Sequence, residues 1–386
     1  LCMPLLVNAQ NQIPTLDDLD NEIAMSPQYD KKYEDVISSV KKELRTAKTK
    51  EARYDLSNKL FNLYTSYSVD SAIVYAIEKQ NIAKQIGDRS KVNDAKLNLA
   101  YLLIRGGQLK DASDIINSIP RKEISEELSF YYFSTRKTLY RTLAEAALTT
   151  SQRNLYKQME KNCNDSVVDN NASPDSWSRA EQLVNRHQYE QAKKILLDAY
   201  QHLKPGDRQT AFVSISLADI YGREKNVEAQ KQYLIAAAIS DIRNSVKEYL
   251  ALQQLAVILF EEGDTKRAYA YMDQAMNDAV FCNARQRTIA MADVWPAIEK
   301  SHERETKSRT LRLTAIIIVI SLLSVVLFVM IIYTRRRVVE LRAIRARLSN
   351  TNELLKESNN IKDEYITRFL TECSAYIDKL DSYRKQ

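Results

Sequence analysis

The chain has 386 residues, of which 27% are charged and 45% are hydrophobic, and it contains only 6 Gly and 7 Pro. This composition is typical of a helical protein with few tight turns, and the absence of GxGxxG and GxxxxGK(S/T) motifs excludes the usual nucleotide-binding classes. The net charge is +6, of which +4 lies in residues 335–386 (12 Lys and Arg against 8 Asp and Glu), so the basic excess does not form a nucleic-acid patch on the larger N-terminal part.

The first nine residues resemble the end of a secretory signal peptide. An apolar stretch ends at Val7-Asn8-Ala9, which places small residues at the −3 and −1 positions of a cleavage site before Gln10. This pattern predicts that residues 1–9 belong to a signal peptide and that the following part of the chain is exported. A terminus in which these small residues occur by chance is the alternative. Residues 10–54 are expected to form an N-terminal helical cap.

Residues 55–300 carry a repeated pattern of small residues. In each copy an alanine is followed by a second alanine about twelve residues later, which is the spacing of two antiparallel helices that pack closely. In one copy the second alanine comes at +11, and this predicts a turn that is one residue shorter. The paired alanines are Ala100 and Ala112, Ala180 and Ala192, Ala256 and Ala268, and, at the shorter spacing, Ala218 and Ala229.

This pattern resembles the tetratricopeptide repeat (TPR), in which small residues let neighbouring helices approach closely. Neighbouring copies are separated by 37 to 40 residues, more than the 34 of the family, so the repeats are divergent and long. Residues 120–165 leave room for one degenerate unit. The resemblance implies an all-α, TPR-like α-solenoid whose concave surface binds a protein or peptide.

An aromatic cluster at residues 130–140 is the candidate ligand groove within this region. On a helix, Tyr132, Arg136 and Leu139 share one face, and Tyr131 lies beside them. Tyr131, Tyr132 and Arg136 could line a groove that reads a ligand. Packing of these aromatic side chains in the core is the alternative, and it is the favoured interpretation.

The residues that usually carry chemistry are few. None of the histidines His187, His202 and His302 has a Cys, Asp or Glu at metal-ligand spacing, so we expect no catalytic residue, metal or cofactor and no enzymatic activity. The four cysteines show no CxxC spacing. Cys163 and Cys282 could form a disulfide bridge in an oxidising compartment, but burial as small hydrophobic side chains is favoured.

A single apolar segment interrupts this charge-rich chain. Residues 313–334 contain no charged side chain over 22 positions, which is enough for a helix to cross about 30 Å of hydrocarbon. Residues 301–312 precede it as a juxtamembrane stretch. Arg335, Arg336 and Arg337 follow it at once, and together with the signal-like start they predict an N-terminal body outside and a C-terminal tail inside. The expected location is therefore the inner membrane, with residues 55–300 in the periplasm.

The tail at residues 335–386 has the spacing of a short coiled coil. Leu341, Leu348 and Leu355 are seven residues apart, and Asn352 and Asn359 occupy the companion position, where asparagine fixes the register at some cost in stability. This pattern predicts a homodimer through a cytoplasmic helix. A single solvated helix is the alternative.

The stretch "LLKESNNIKDEYITRFLTECSAYI" also resembles the dimerisation helix of sensor histidine kinases. Asn359, Lys362, and residues 363–365 match that frame, but Thr371 stands where a kinase carries the phosphorylated histidine. No histidine follows His302. Phosphotransfer by this segment is therefore disfavoured, although the helix can relay a conformational change.

Taken together, these features resemble a family of bacterial inner-membrane regulators of largely unknown function, with periplasmic divergent TPR repeats and a cytoplasmic helical domain that ends in a LuxR-type helix-turn-helix. The resemblance implies a sensor that binds a periplasmic ligand and signals through a dimeric helix to transcription. DNA binding would need that domain, which this sequence does not contain. The alternative function is a membrane-anchored TPR scaffold that assembles envelope proteins without a signalling output.

Overall fold

The computed structural model describes residues 14–168 and 176–384, and every regular element in these residues is helical. The predicted all-α, TPR-like solenoid is thereby confirmed, whereas the predicted signal-peptide residues 1–9 lie outside the described residues. The helices are α1 (Leu16–Thr46), α2 (Lys50–Tyr64), α3 (Val69–Ile86), α4 (Arg89–Arg105), α5 (Leu109–Asn117), α6 (Glu126–Ala146), α7 (Thr150–Val168), α8 (Ser176–Asn185), α9 (Tyr189–Gln201), α10 (Arg208–Arg223), α11 (Val227–Arg243), α12 (Ala251–Glu261), α13 (Thr265–Cys282), α14 (Arg285–Ala292) and α15 (Trp295–Arg384).

The chain forms two compact units, Leu1–Glu303 and Arg304–Gln386. The first unit contains the antiparallel helix pairs and the hydrophobic core. The second consists of the remainder of α15, in which the apolar and heptad side chains are exposed. Among the described residues, α15 is the one helix that is long and apolar enough to cross a membrane.

Four helix pairs, α4–α5, α8–α9, α10–α11 and α12–α13, are joined by turns of the same geometry. In each turn a residue with positive φ lies seven positions after the first alanine of the repeat, and the following residue donates its N–H to the carbonyl five positions back. The residues with positive φ are Gly107, His187, Lys225 and Gly263. Because glycine alone takes this conformation without a steric cost, the two non-glycine turns each store about 1 kcal/mol of strain.

The α10–α11 turn is not shorter than the others, so the prediction of a missing residue is wrong. Lys225 lies seven positions after Ala218, as the corresponding residue does in every other turn. The fourth position after the N-cap holds alanine in the other three pairs but holds Gln230 here. Ala229 lies one position earlier, three residues after the N-cap Asn226, and its N–H donates to Oδ1 of that residue.

The repeat alanines form the close helix crossings of the core. Seven of the eight predicted positions are fully buried, and Ala229 is only half-buried because it precedes the crossing position. The buried positions are Ala100, Ala112, Ala180, Ala192, Ala218, Ala256 and Ala268. Alanine at a crossing lets two helix backbones approach closely, since a larger side chain would force them apart.

The N-terminal helix α1 connects the first helix pair to the last ones. Leu19, near its start, is fully buried in the hydrophobic cluster of α11–α13. Ile37 and Val40, near its end, lie in the cluster formed with α2 and α3. Thr15 caps the helix by accepting a hydrogen bond from the N–H of Asp18, and the Asp18 carboxylate accepts one from the N–H of Thr15. One helix of 31 residues therefore bridges parts of the chain that are more than 200 residues apart.

A second connection closes the first unit directly. The N–H of Lys247, in the α11–α12 turn, donates to the carbonyl of Ser66 in the α2–α3 turn at 2.7 Å. Arg105 forms an ion pair with Glu248 from that same turn and donates to the carbonyl of Thr65 at 2.7 Å. The early repeats therefore contact the late repeats, and a cleft lies where they meet.

Candidate functional site

The aromatic cluster on α6 is largely committed to internal contacts. Tyr132 is only 2% exposed and packs in the cluster of α4 and α5. Its hydroxyl accepts a hydrogen bond from Nη1 of Arg136 at 2.7 Å, and Nη2 of Arg136 donates to the hydroxyl of Tyr140 at 2.8 Å. The hydroxyl of Tyr131 donates to Oδ1 of Asn98 at 2.9 Å, and burial raises its pKa well above the ordinary value. Tyr132 is therefore a core residue, and Tyr131 and Arg136 are half-buried with their polar groups bonded to neighbouring side chains.

A polar cleft of about 380 Å³ lies where the early and late repeats meet. We call it the closure cleft. It is bordered by α1, α2, the α2–α3 turn, the first turn of α10 and the α11–α12 turn. The polar and charged side chains that line it are Tyr33, Asp55, Asn58, Lys59, Asn62, Ser66, Arg208, Asn244 and Ser245.

Arg208 is the central cation of the closure cleft. It is the first residue of α10, so its backbone is fixed by the helix start. Its Nη2 donates to Oγ of Ser66 at 3.0 Å, and its guanidinium lies 5.5 Å from the ring centre of Phe212. Within the described residues it forms no ion pair with a carboxylate. Its four remaining N–H donors form no hydrogen bond within the described residues and are left to a ligand or to water.

The α11–α12 turn is held in an unusual conformation at the cleft wall. Ser245 has a φ of 51°, which is rare for a residue with a side chain, and it is only 2% exposed. Its Oγ is buried and has no hydrogen-bond partner in the described protein. The turn is anchored by Asn244, whose Nδ2 donates to the carbonyl oxygens of Gly206 at 3.0 Å and Ser240 at 2.8 Å. The backbone strain and the unpaired hydroxyl both lie at this one wall.

The amide of Asn58 has a fixed orientation. Its Oδ1 accepts a hydrogen bond from Nζ of the buried Lys79 at 2.6 Å, and a lysine ammonium can only donate. The NH₂ group of Asn58 is therefore the end that is available to the cleft. Asn62, one helical turn further along α2, has no hydrogen bond within the described residues and is exposed.

The balance of charge in the closure cleft is positive. Arg208 and Lys59 contribute two positive charges, and Asp55 contributes one negative charge, so the lining carries a net +1. Asp241 lies near Arg208, and burial, opposed in part by the Arg208 charge, raises the pKa of this carboxyl to about 7. This group is therefore half protonated near neutral pH, when it offsets the positive charge only in part.

No sequence pattern indicates the closure cleft. Its residues come from positions near 33, 55–66, 208 and 244–245, and nothing in their spacing connects them. The only local signal is the run of polar residues on one face of α2, which is also what a solvated helix surface would show. Long-range closure by α1 brings these segments together.

The remaining predicted residues lie as follows. Leu341, Leu348 and Leu355 are 64%, 67% and 58% exposed on α15, as an unpartnered helix leaves them. Cys163 and Cys282 are both buried free thiols, in agreement with the favoured interpretation. No group of three potential metal ligands occurs among the residues that the structure describes.

Comparison with known proteins identifies the first unit. Residues 23–293, more than half of the chain, match the family described as the SusR N-terminal TPR domain. No curated protein matches the chain. The match covers α2–α14 and most of α1, the helix that closes the unit. With its paired helices, its repeated turns and this match, the chain belongs to the SusR N-terminal TPR domain family.

Proposed function

We propose that this protein is a single-pass inner-membrane sensor. Its first unit binds a periplasmic ligand and its cytoplasmic helix, paired with that of a second copy, carries the signal inward. The observation that carries the proposal is α15. Its first turns belong to the core of the first unit, and the same helix continues without interruption for 90 residues.

The start of α15 is firmly packed. Ile298 is fully buried in the cluster of α11–α13, and Trp295 stacks on Tyr269 with ring centres 5.3 Å apart. The ring of His302 also stacks on Tyr269, with ring centres 4.1 Å apart. A change in the packing of α13 therefore acts directly on the first turns of α15. A rigid helix is a suitable carrier of such a change, because its rotation is shared by all its turns.

The apolar segment at residues 313–334 supports the membrane assignment. Its side chains are exposed along the whole segment, which suits contact with lipid and not with a protein core. We place the first unit in the periplasm and residues 335–386 in the cytoplasm, on the basis of the arginine cluster at 335–337.

The heptad pattern supports the paired helix. Beyond Leu355 the same register continues through Ile366, Phe369, Tyr376 and Leu380, all of them exposed. Cys373 falls in this seam as well. Two copies of α15 packed along the seam would cover these side chains. The output is proposed to be transcriptional, through a DNA-binding domain of the kind found in the family of inner-membrane regulators, and not through enzymatic activity of this chain.

Topology and pairing are tested together. Reporter fusions after Lys300 and after Leu355 are expected to show export of the first fusion only. Single cysteines at Leu341, Leu348 and Leu355, in a chain without Cys373, are expected to form disulfide-linked dimers on oxidation. Export of both fusions would overturn the orientation. Failure of all three cysteines to crosslink would remove the paired helix and favour a membrane-anchored scaffold.

A further inference from the structure

We propose that the closure cleft is a binding site for a small organic anion that carries a carboxylate or phosphate group. The proposal names the ligand class for the sensor and rests on the proposed function for its biological role. Three features of the described residues support it: an arginine without an ion pair, a buried hydroxyl without a partner, and two asparagine amides on α2, of which that of Asn58 has a fixed orientation.

The guanidinium of Arg208 is preorganised for an oxyanion. Ser66 accepts one of its hydrogen bonds, and the ring of Phe212 lies beside its plane. The side chain is therefore fixed before a ligand arrives, and less rotamer entropy is lost on binding. Its remaining donors can bind a carboxylate or phosphate in the two-pronged geometry that these groups share.

Ser245 supplies the second, independent feature. A buried hydroxyl without a partner costs about 1–3 kcal/mol, and a strained turn holds it at the cleft wall. Because the Oγ is covered by neighbouring atoms, a ligand oxygen would satisfy this group after a small shift of the turn. The NH₂ of Asn58 and the side chain of Asn62 add donors on the opposite wall, on α2.

The size and charge of the cleft define the ligand further. A volume of about 380 Å³ exceeds that of a bare phosphate and lies in the range of cavities for small organic molecules. Asp55 on the rim disfavours a highly charged anion and can accept hydrogen bonds from ligand hydroxyl groups. A ligand with one anionic group and several hydroxyl or carbonyl oxygens therefore fits the lining.

Such a ligand would connect distant parts of the chain. Arg208 belongs to α10, Ser245 to the α11–α12 turn, and Asn58 to α2. One molecule that contacts all three stabilises the contact between early and late repeats, which the hydrogen bond from Lys247 to Ser66 already forms. Binding would thus favour the closed arrangement of the first unit by mass action.

The test is calorimetric titration of the purified full-length chain in detergent with gluconate and glycerol phosphate, each with one anionic group and hydroxyl groups, and with glycerol as the neutral control. We expect at least one of the two anions to bind with a Kd below the millimolar range and glycerol not to bind. Arg208→Gln and Ser245→Ala are expected to weaken binding about tenfold each. Arg223→Gln, at the far end of the same helix and paired with Asp219, is the matched control and should leave binding unchanged.

Asn62→Asp keeps the proposal open to refutation if a variant at Arg208 does not fold. Asn62 is exposed and makes no hydrogen bond within the described residues, so the variant should fold normally while its new carboxylate weakens anion binding about tenfold. Binding of neither anion, equal binding of glycerol, or binding that is unchanged in Asn62→Asp would overturn the site. If the chain binds no anion but shows the expected topology and crosslinks, the anion site is refuted and the sensor function is not. If it binds an anion but shows neither the expected topology nor crosslinks, the sensor function is refuted and the anion site is not.

Discussion

Gln230 lies against Gly222, and a Cβ atom at position 222 would lie 2.7 Å from Nε2 of Gln230. In the other three helix pairs the position of Gln230 is an alanine, and the position of Gly222 is a large residue: Ile104, Val184 and Phe260. The large and small side chains have therefore exchanged sides at this crossing. The side chain of Gln230 therefore occupies space that the missing side chain of Gly222 leaves open.

This exchange predicts coupling between the two positions. Gly222→Val should destabilise the protein by less than about 1 kcal/mol, because the amide of Gln230 that its side chain meets is the end of a flexible, half-buried side chain and can move aside. The double variant Gly222→Val with Gln230→Ala reproduces the Val184 and Ala192 arrangement and should recover most of the loss. Chemical unfolding of the wild type, both single variants and the double variant gives the coupling energy. Additive effects of the two changes would show that the side chains do not share this space.

The alanine crossings predict a graded response to overpacking. Ala192→Leu and Ala268→Leu should each cost about 1–3 kcal/mol, because both alanines are fully buried at a helix crossing. Ala229→Leu is the matched control within the same repeat pattern. Ala229 is half-buried, so its substitution should cost less than about 0.5 kcal/mol. Equal costs at Ala229 and Ala192, measured by thermal unfolding, would contradict the assignment of the crossing to Gln230.

These positions show how far the sequence predicts the fold. The alanine spacing reports the helix pairs because close crossings leave no room for other side chains, and seven of eight alanines lie where the pattern places them. The pattern fails at Ala229, since an exchange of Gly222 and Gln230 preserves the packing without preserving either residue. The pattern gives no information on the closure cleft, because Arg208 and Ser245 meet residues that are more than 100 positions away in the sequence. For Tyr132, periodicity favours core packing but does not exclude a groove, because an apolar helix face can serve either purpose.

The ion pairs of α1 predict that its first half can be released selectively. The Asp20 carboxylate accepts hydrogen bonds from Nε of Arg267 at 2.9 Å and from the hydroxyl of the buried Tyr271 at 2.7 Å. Asp20→Ala should cost about 1 kcal/mol, a value reduced by the partial exposure of this carboxylate. Limited proteolysis should then cleave α1 faster. Asp35→Ala, on the same helix and exposed, should not change the cleavage rate.

The raised pKa of the half-buried Asp241 carboxyl predicts a pH dependence of stability. Its folded-state pKa, raised by burial to about 7, exceeds the ordinary value of 3.8. This group therefore lowers the free energy of unfolding as the pH rises from about 4 to about 7, and its contribution is constant above about 7. The neighbouring charges are Arg208, Glu248 and Arg287. Asp241→Asn removes the group that resists ionisation. It should therefore stabilise the protein near pH 8 and have little effect near pH 4, as measured by urea unfolding at both values. If the stability of the wild type relative to Asp241→Asn rises from pH 5 to pH 8, the prediction is contradicted.

The exposed seam of α15 predicts that a single charge separates two copies of the chain. Leu348 lies in the middle of the seam, and Leu348→Asp would place two carboxylates at the dimer interface, where desolvation and mutual repulsion oppose pairing. Ala346→Asp adds the same charge two residues earlier, on the outer face of the helix, where water solvates it. Oxidation of the native Cys373, which falls in the same register, should link two copies of the wild type and of Ala346→Asp but not of Leu348→Asp. If both aspartate variants crosslink as well as the wild type, the leucines do not form the interface. If the wild type does not crosslink, α15 is a single solvated helix beyond the apolar segment.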